Sequence, residues 1–520
     1  MSSRLHKAVS ALAPLASIVI VATSIIAFNG GIAVGSSNHV GLLPVVRRLI
    51  NPEYLPGDFN IELRLFHHRV FAWVLAQLSI VLGEDRAVIA LHLFSVLALS
   101  AGLYYLTRTL NLSTWAYLLI GLLLSVGAFW IGLGLEENNF VGNQEVQPTT
   151  LAHAFVLAGT AALLQKRWRL CAFFAGLTVL LHLQIGFIFV LLIAPFFAMR
   201  LREFGWRGTA MLAIVFLIPA APAIWNAQRL LQRGVSNASF SVDYLRFRMP
   251  HHFELASTAA GLWFLAHLTV LLWAAWWLRR RDHGEATKVG AITGMSLLLT
   301  GLILLHAIDY NWLHFNTTLK FQFPRLSPLV TVFGGLVMVK SIGLLPSQWP
   351  RRAGYSALIL AGVVHAGSIV RQPERFSLAV RKYYEQKSDW VEMCLWIKAN
   401  GESTVYLAPP GRYGFTYLTD RSSVVEFKIN PDGGQFLREW TERLTDLAGG
   451  SLPIGRGLEN RRLIDRAYAR LSIDSLRALG GKYNAHYAVL PQTSRVELPV
   501  VHENGEYRLV SLSAMYPSSQ

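Results

Sequence analysis

Asp58 is the residue whose setting most invites chemistry. It stands in YLPGDFN, where Pro56 and Gly57 enforce a turn and leave a carboxylate projecting from irregular backbone. Such a group can accept a proton from a hydroxyl while that oxygen attacks a carbon centre. It can equally close an Asx-type turn or cap a helix beginning near Ile61, and the local sequence leaves both roles open. The surrounding stretch, Ser37 to Arg69, also carries Asn38, His39, Glu62, His67 and His68, interrupted by Pro44, Pro52 and Pro56. A long polar loop beside an apolar segment is a common seat of function.

Other candidates fall into small groups. Glu145, beside Gln147 and Pro148 at a helix start, offers a second carboxylate. With Asp58 as partner and Asn143 or Gln144 as neutral ligands, it could hold Mg²⁺ or Mn²⁺ against a phosphate. Glu136 and Glu137 nearby read as a solvated acidic turn. Lys320 and Arg325 stand in LKFQFPR just before an apolar run, and a guanidinium there suits a phosphate at a cavity mouth. An interfacial anchor pair flanked by Phe321 and Phe323 is the competing reading. His251 and His252 follow Arg246, Arg248 and Pro250, a cationic segment fit for a pyrophosphate or for lipid headgroups. Being adjacent, the two histidines point to different sides and do not share one metal. His182 and Gln184 interrupt the apolar run Leu170–Met199; a core histidine is the plainer account of His182. Glu145, His39, His182 and Gln184 are the candidates for touching an acceptor or supporting the groups that do.

These residues need a scaffold, and composition says which kind. The chain has 520 residues, 53% hydrophobic and 15% charged, with a mean hydropathy of +0.39, which is the balance of an integral membrane protein. Apolar runs long enough to cross about 30 Å of hydrocarbon recur from Ala11 to Val370 and then stop. The net charge of +16 sits in short clusters between apolar runs, which excludes nucleic acid as the better account of it. The two cysteines, Cys171 and Cys394, form no CxxC spacing, and a disulfide between them is not expected.

Arg4 and Lys7 precede the run Ala11–Ala33, which reads as a retained first helix with a cytoplasmic N-terminus. The loop holding Asp58 then faces outward, with interfacial helices at Gly41–Ile50 and Ile61–Leu82. The spans that follow bring the total to about eleven, and every inward turn carries Arg or Lys, including KRWR at 166–169. Residues 170–199 are too long for one comfortable span and read as two short helices turning at HLQIG. From about residue 372 the pattern changes to alternating strands and helices, with strand-like STVYLAPP, SSVVEFK, HYAVL and EYRLVSL.

A carboxylate just outside the first transmembrane helix, followed by interfacial helices and many spans, resembles the GT-C superfamily of membrane glycosyltransferases. The run DWVEMCLWIKANGESTVYLAPP looks like the helix, turn and strand that begin the outer-face domains of many such proteins. With NPEYLPGD, HLQIG and MPHHFE, the whole chain is similar to a group of bacterial multispan proteins of GT-C type whose activities are mostly unassigned. The resemblance implies an α-helical multispan membrane domain over 1–371, its first outer loop at 35–85, and a soluble α/β domain over 372–520 on the periplasmic face of a bacterial inner membrane. It implies an inverting transfer of a sugar from a polyprenyl-phosphate carrier to a glycan or lipid-linked acceptor, with Asp58 as base. Arg325, Lys320, His251 and His252 would hold the donor phosphate, and Glu145 with Asp58 a divalent ion. Membrane lipids, the lipid-linked donor and the acceptor are then the partners. The WWD-type acceptor motif of better-known oligosaccharyltransferases is missing from this tail, which speaks against a peptide or protein acceptor. Two rivals predict other things. A flippase for lipid-linked glycans would show related halves with matching broken helices, and only HLQIG interrupts a run. A non-catalytic partner with a glycan-binding outer domain would tolerate loss of Asp58.

Overall fold

The computed structural model describes residues 2–126, 143–232, 243–244, 246–250, 258–280, 283–315, 318–371, 376–429, 431, 434–455 and 457–512. The chain forms two compact units, each drawn from three segments: Met1–Ile32, Ile89–Trp225 and His251–Ala379 in the first, Ala33–Val88, Asn226–Pro250 and Val380–Gln520 in the second.

The first unit is helical. Four helices are long and apolar enough to cross a membrane: Glu84–Thr109, which begins in the second unit's segment, Leu201–Arg229, Gly284–Leu313 and Phe323–Gly343. Shorter apolar helices join them, and together they mark a membrane protein. The run Leu170–Met199 divides as its polar centre foretells, into Trp168–Leu181 and Leu183–Ala198. His182 sits at the break in extended conformation, and its Nδ1 accepts the Ile185 amide at 3.4 Å. The return is tight. A Cβ at Gly186 would lie 2.5 Å from the backbone N and Cα of Val179.

The second unit holds a five-stranded sheet in the order Ser422–Ser423, Val405–Leu407, Ala485–Pro491, Tyr507–Ser511, Val500–Glu503. The first three strands run parallel, and the last two add antiparallel. Helices Gly434–Leu447, Leu458–Tyr468 and Ile473–Tyr483 belong to the same unit. The apolar side of Gly434–Leu447, with Leu437, Trp440, Leu444 and Leu447, is buried in the same core as Val424, Phe427, Leu490 and Val510.

Phe59 and Leu63 belong to that core too. The loop expected to lie with the spans is thus built into the core of residues 380–512. Its helices are His39–Ile50, Phe59–Arg64 and Arg69–Leu82, so the continuous helix expected over Ile61–Leu82 is broken, with His68 left-handed at φ 48°. Asn60 and Arg47 are among the side chains that fasten the loop. Asn60 donates to Ser423 O at 3.0 Å and accepts the Glu426 amide at 2.9 Å. Arg47 forks onto Glu84 at 2.7 and 2.8 Å and reaches Asp420 at 2.6 Å.

Candidate functional site

In the first unit the structure brings together three of the expected site residues. Arg325 lies on a short 3₁₀ turn, Phe323–Leu326, that leads directly into helix Ser327–Gly343; Pro324 and Pro328 open those two elements. Its Nη1 stands 3.2 Å from His182 Nε2 and donates to Gln184 Oε1 at 3.2 Å. His182 is buried, whereas Arg325 and Gln184 are half-buried.

The histidine makes this a loaded arrangement. Neutral imidazole has one acceptor nitrogen, so His182 cannot accept from Ile185 at Nδ1 and from Arg325 at Nε2 together. In the tautomer that caps the helix, Nε2–H and the guanidinium face each other as donors. An anionic oxygen set between them satisfies both.

The same unit holds a polar cluster that sequence reasoning missed. Helix His283–Ile308 ends in a π-turn, Asp309–Leu313. There the buried Asp309 accepts the Thr318 amide and hydroxyl, both at 2.8 Å, and that hydroxyl lies 3.3 Å from His306 Nδ1. An Asp at the end of an apolar run, in DYNWLHFN, was the available signal. Glu145 is buried just ahead of helix Pro148–Leu164. Lys320 stands in a 3₁₀ turn at 318–321. His251, His252, Glu136 and Glu137 lie outside the described residues.

In the second unit Asp58 performs the helix-capping role that the sequence left open. Its Oδ1 accepts the Ile61 amide at 2.9 Å at the start of helix Phe59–Arg64. Oδ2 is buried and makes no hydrogen bond of good geometry among the described residues. Burial pushes the Asp58 carboxyl up to about 6, opposed by the Ile61 amide, the Ser422 side chain and the Arg443 charge. Glu426, equally buried, is pushed up to about 7 by burial, the Asp58 charge adding to it. Both Glu426 oxygens are committed, to the amides of Gly414 at 2.6 Å and Thr416 at 3.0 Å. His39 is wholly buried, and its Nδ1 accepts the Gly35 amide at 3.2 Å. Arg248, from the cationic segment expected to meet phosphate, donates instead to the carbonyls of Phe427 at 2.8 Å and Lys428 at 3.1 Å.

Of the residues expected to hold a divalent ion, Asp58 belongs to the second unit and Glu145 to the first. Among the described residues no three His, Cys, Asp or Glu side chains gather in a metal-binding group. Near Asp58, the two Glu426 oxygens each accept a backbone amide. The local donor set therefore does not fit a divalent cage.

Residues 388–447 match a family model described as Domain of unknown function (DUF6798). No curated protein matches the chain. Among solved structures, the apo oligosaccharyltransferase of Archaeoglobus fulgidus aligns with a TM-score of 0.51 and 12% identity, covering 92% of this chain and 69% of that one. Two further structures of the archaeal enzyme align less well. One is AglB with an inhibitory peptide and a dolichol-phosphate, at TM-score 0.48 and 11% identity, covering 92% of this chain and 69% of that one. The other is a complex with zinc and sulfate, at 0.45 and 11%, covering 91% and 68%. The chain is thus similar in fold to the apo archaeal oligosaccharyltransferase.

Proposed function

We propose that this chain is an inverting glycosyltransferase of GT-C type that moves a sugar from a polyprenyl-phosphate carrier to a glycan or lipid-linked acceptor. What carries the reading is the juxtaposition of Arg325 with His182 and Gln184, a ready anion seat, within a fold similar over 92% of the chain to an oligosaccharyltransferase. The acceptor oxygen attacks the anomeric carbon, the bond from that carbon to the phosphate oxygen breaks, and the phosphate keeps the electron pair. Arg325 and the Nε2–H of His182 meet that developing charge. Lys320, His251 and His252 are proposed to extend the phosphate contacts.

Asp58 is the proposed base that takes the acceptor proton. Its uncommitted Oδ2 and a carboxyl raised to about 6 support this role, because a base near the working pH serves proton transfer best. Glu145 and His39 are proposed as supporting residues, and no step is routed through a divalent ion. The same proposal takes 1–371 as the membrane part, with about eleven spans and a cytoplasmic N-terminus, and 372–520 as an outer-face domain of a bacterial inner membrane.

The test supplies the purified full chain with polyprenyl-phosphate sugars and lipid-linked acceptors, reading transfer and anomeric configuration. Asp58→Asn should lower kcat by about 100- to 10,000-fold while the helix cap survives, since Asn caps as well as Asp. Arg325→Gln should weaken donor use, raising KM and lowering kcat together. Turnover by Asp58→Asn at the parent rate removes Asp58 as base. Failure of the parent chain to use any such donor removes the class.

A further inference from the structure

Several positive residues at the ends of the apolar helices are answered by protein partners. Arg108 donates to Leu112 O at 2.8 Å. Arg200 pairs with Glu203. Lys288 and Lys340 close on Glu285 and donate to the end carbonyls of helix Glu84–Thr109 and its next residue, Thr109 O at 2.9 Å and Leu110 O at 2.6 Å. Lys166, Arg167 and Arg169 differ. All three are exposed, and their side chains make no hydrogen bond or ion pair among the described residues.

These three cations line one cleft of about 490 Å³ in the first unit, with Trp168, Phe204 and Leu212 and with no acidic residue. Trp168 meets Phe197 and Phe204 edge-on, ring centroids 5.3 and 5.5 Å apart, and so supplies a firm apolar wall. The cleft lies where residues 166–167 and the start of helix Trp168–Leu181 meet the start of Leu201–Gln232. Beyond it, the last of these exposes Met211, Ile214, Leu217 and Ile218, and only 11% of its apolar stretch is buried.

Unanswered guanidinium and ammonium groups call for an anion, and a phosphate gives a guanidinium two oxygens to bind. An inorganic anion would use the cationic lining and nothing else. A phospholipid would also cover the apolar wall and the exposed helix surface beyond. We infer that this cleft binds the headgroup of an anionic phospholipid, its chains lying along the 211–218 stretch. The site is separate from the Arg325 cluster, and its test does not use sugar transfer.

The full chain in detergent is titrated with phosphatidylglycerol, phosphatidylcholine or inorganic phosphate, with bound lipid read by native mass spectrometry. Phosphatidylglycerol should bind at least about tenfold better than phosphatidylcholine and resist displacement by phosphate. The variant Lys166→Gln/Arg167→Gln/Arg169→Gln should lose about fivefold in affinity per cation removed, roughly 100-fold in all. Its elution and melting should match the parent. Where the triple variant does not fold, Arg167→Gln and Arg169→Gln singly carry the same comparison at about fivefold each. Equal binding of the two lipids overturns the inference, as does parent-like affinity in a folded variant. Full displacement by inorganic phosphate overturns it too, and makes the cleft a free-anion site.

Discussion

Asp58 accepts the Ile61 amide on one carboxylate oxygen and leaves the other buried without a hydrogen bond of good geometry among the described residues, so substitution can separate the cap from the charge. Burial raises Asp58 to about 6 and Glu426 to about 7, from ordinary values of 3.8 and 4.5. An acid raised in the folded state binds more protons there than when unfolded. The stability each contributes is full below its unfolded value and is lost as pH rises towards the folded one. The second unit should therefore be more stable at pH 5 than at pH 8, by about 1.5 kcal/mol from Asp58 and about 2.5 kcal/mol from Glu426. Asp58→Asn should remove about a third of that difference in a melting series against pH; an unchanged slope would show that the carboxylate is not the titrating group. Sequence made Asp58 visible as a turn carboxylate, but it gave no sign of Glu426 beside it. Their approach depends on residues that lie hundreds of positions apart.

The break at His182 was legible because polar residues in an apolar run have few places to go except a helix end. The break at 65–68 was not, because LFHHR continues an acceptable helical pattern and only the left-handed His68 reveals it. The strand Val500–Glu503 was missed for a related reason: it is short, at the sheet edge and mostly exposed, with no buried face to set a pattern. The π-turn that joins Asp309 to Thr318 likewise left no periodic trace. Gly186 is where the element scale can be tested. Its missing Cβ admits the backbone of Val179, which cannot swing aside as a side chain would. Gly186→Ala should destabilise the first unit by about 1–3 kcal/mol, seen as a lower melting temperature of the detergent-solubilised chain. A parent-like melt would mean that the two helices separate freely.

At the scale of the molecule, the clearest departure from the sequence expectation is that the loop around Asp58 is built with residues 380–512. No local pattern announces such pairing, since burial of Phe59 and Leu63 looks the same whichever partner supplies the core. Arg47 is a sensitive reporter of it. Its guanidinium forks on Glu84 and also reaches Asp420, which Lys398 and the Tyr54 hydroxyl meet as well. Arg47→Ala should cost about 2 kcal/mol and make residues 51–58 cleavable by a protease that leaves the parent intact there.

That fastening also has a history in time. Arg47 waits for Asp420, 373 residues downstream, and Asn60 waits for Ser423, 363 residues downstream. At roughly 5–20 residues per second, a ribosome takes about 20–70 s to deliver those partners. For that interval the nascent loop carries Phe59 and Leu63 without the core that later covers them. Its most vulnerable moment comes during synthesis, when a chaperone or a protease can reach it first.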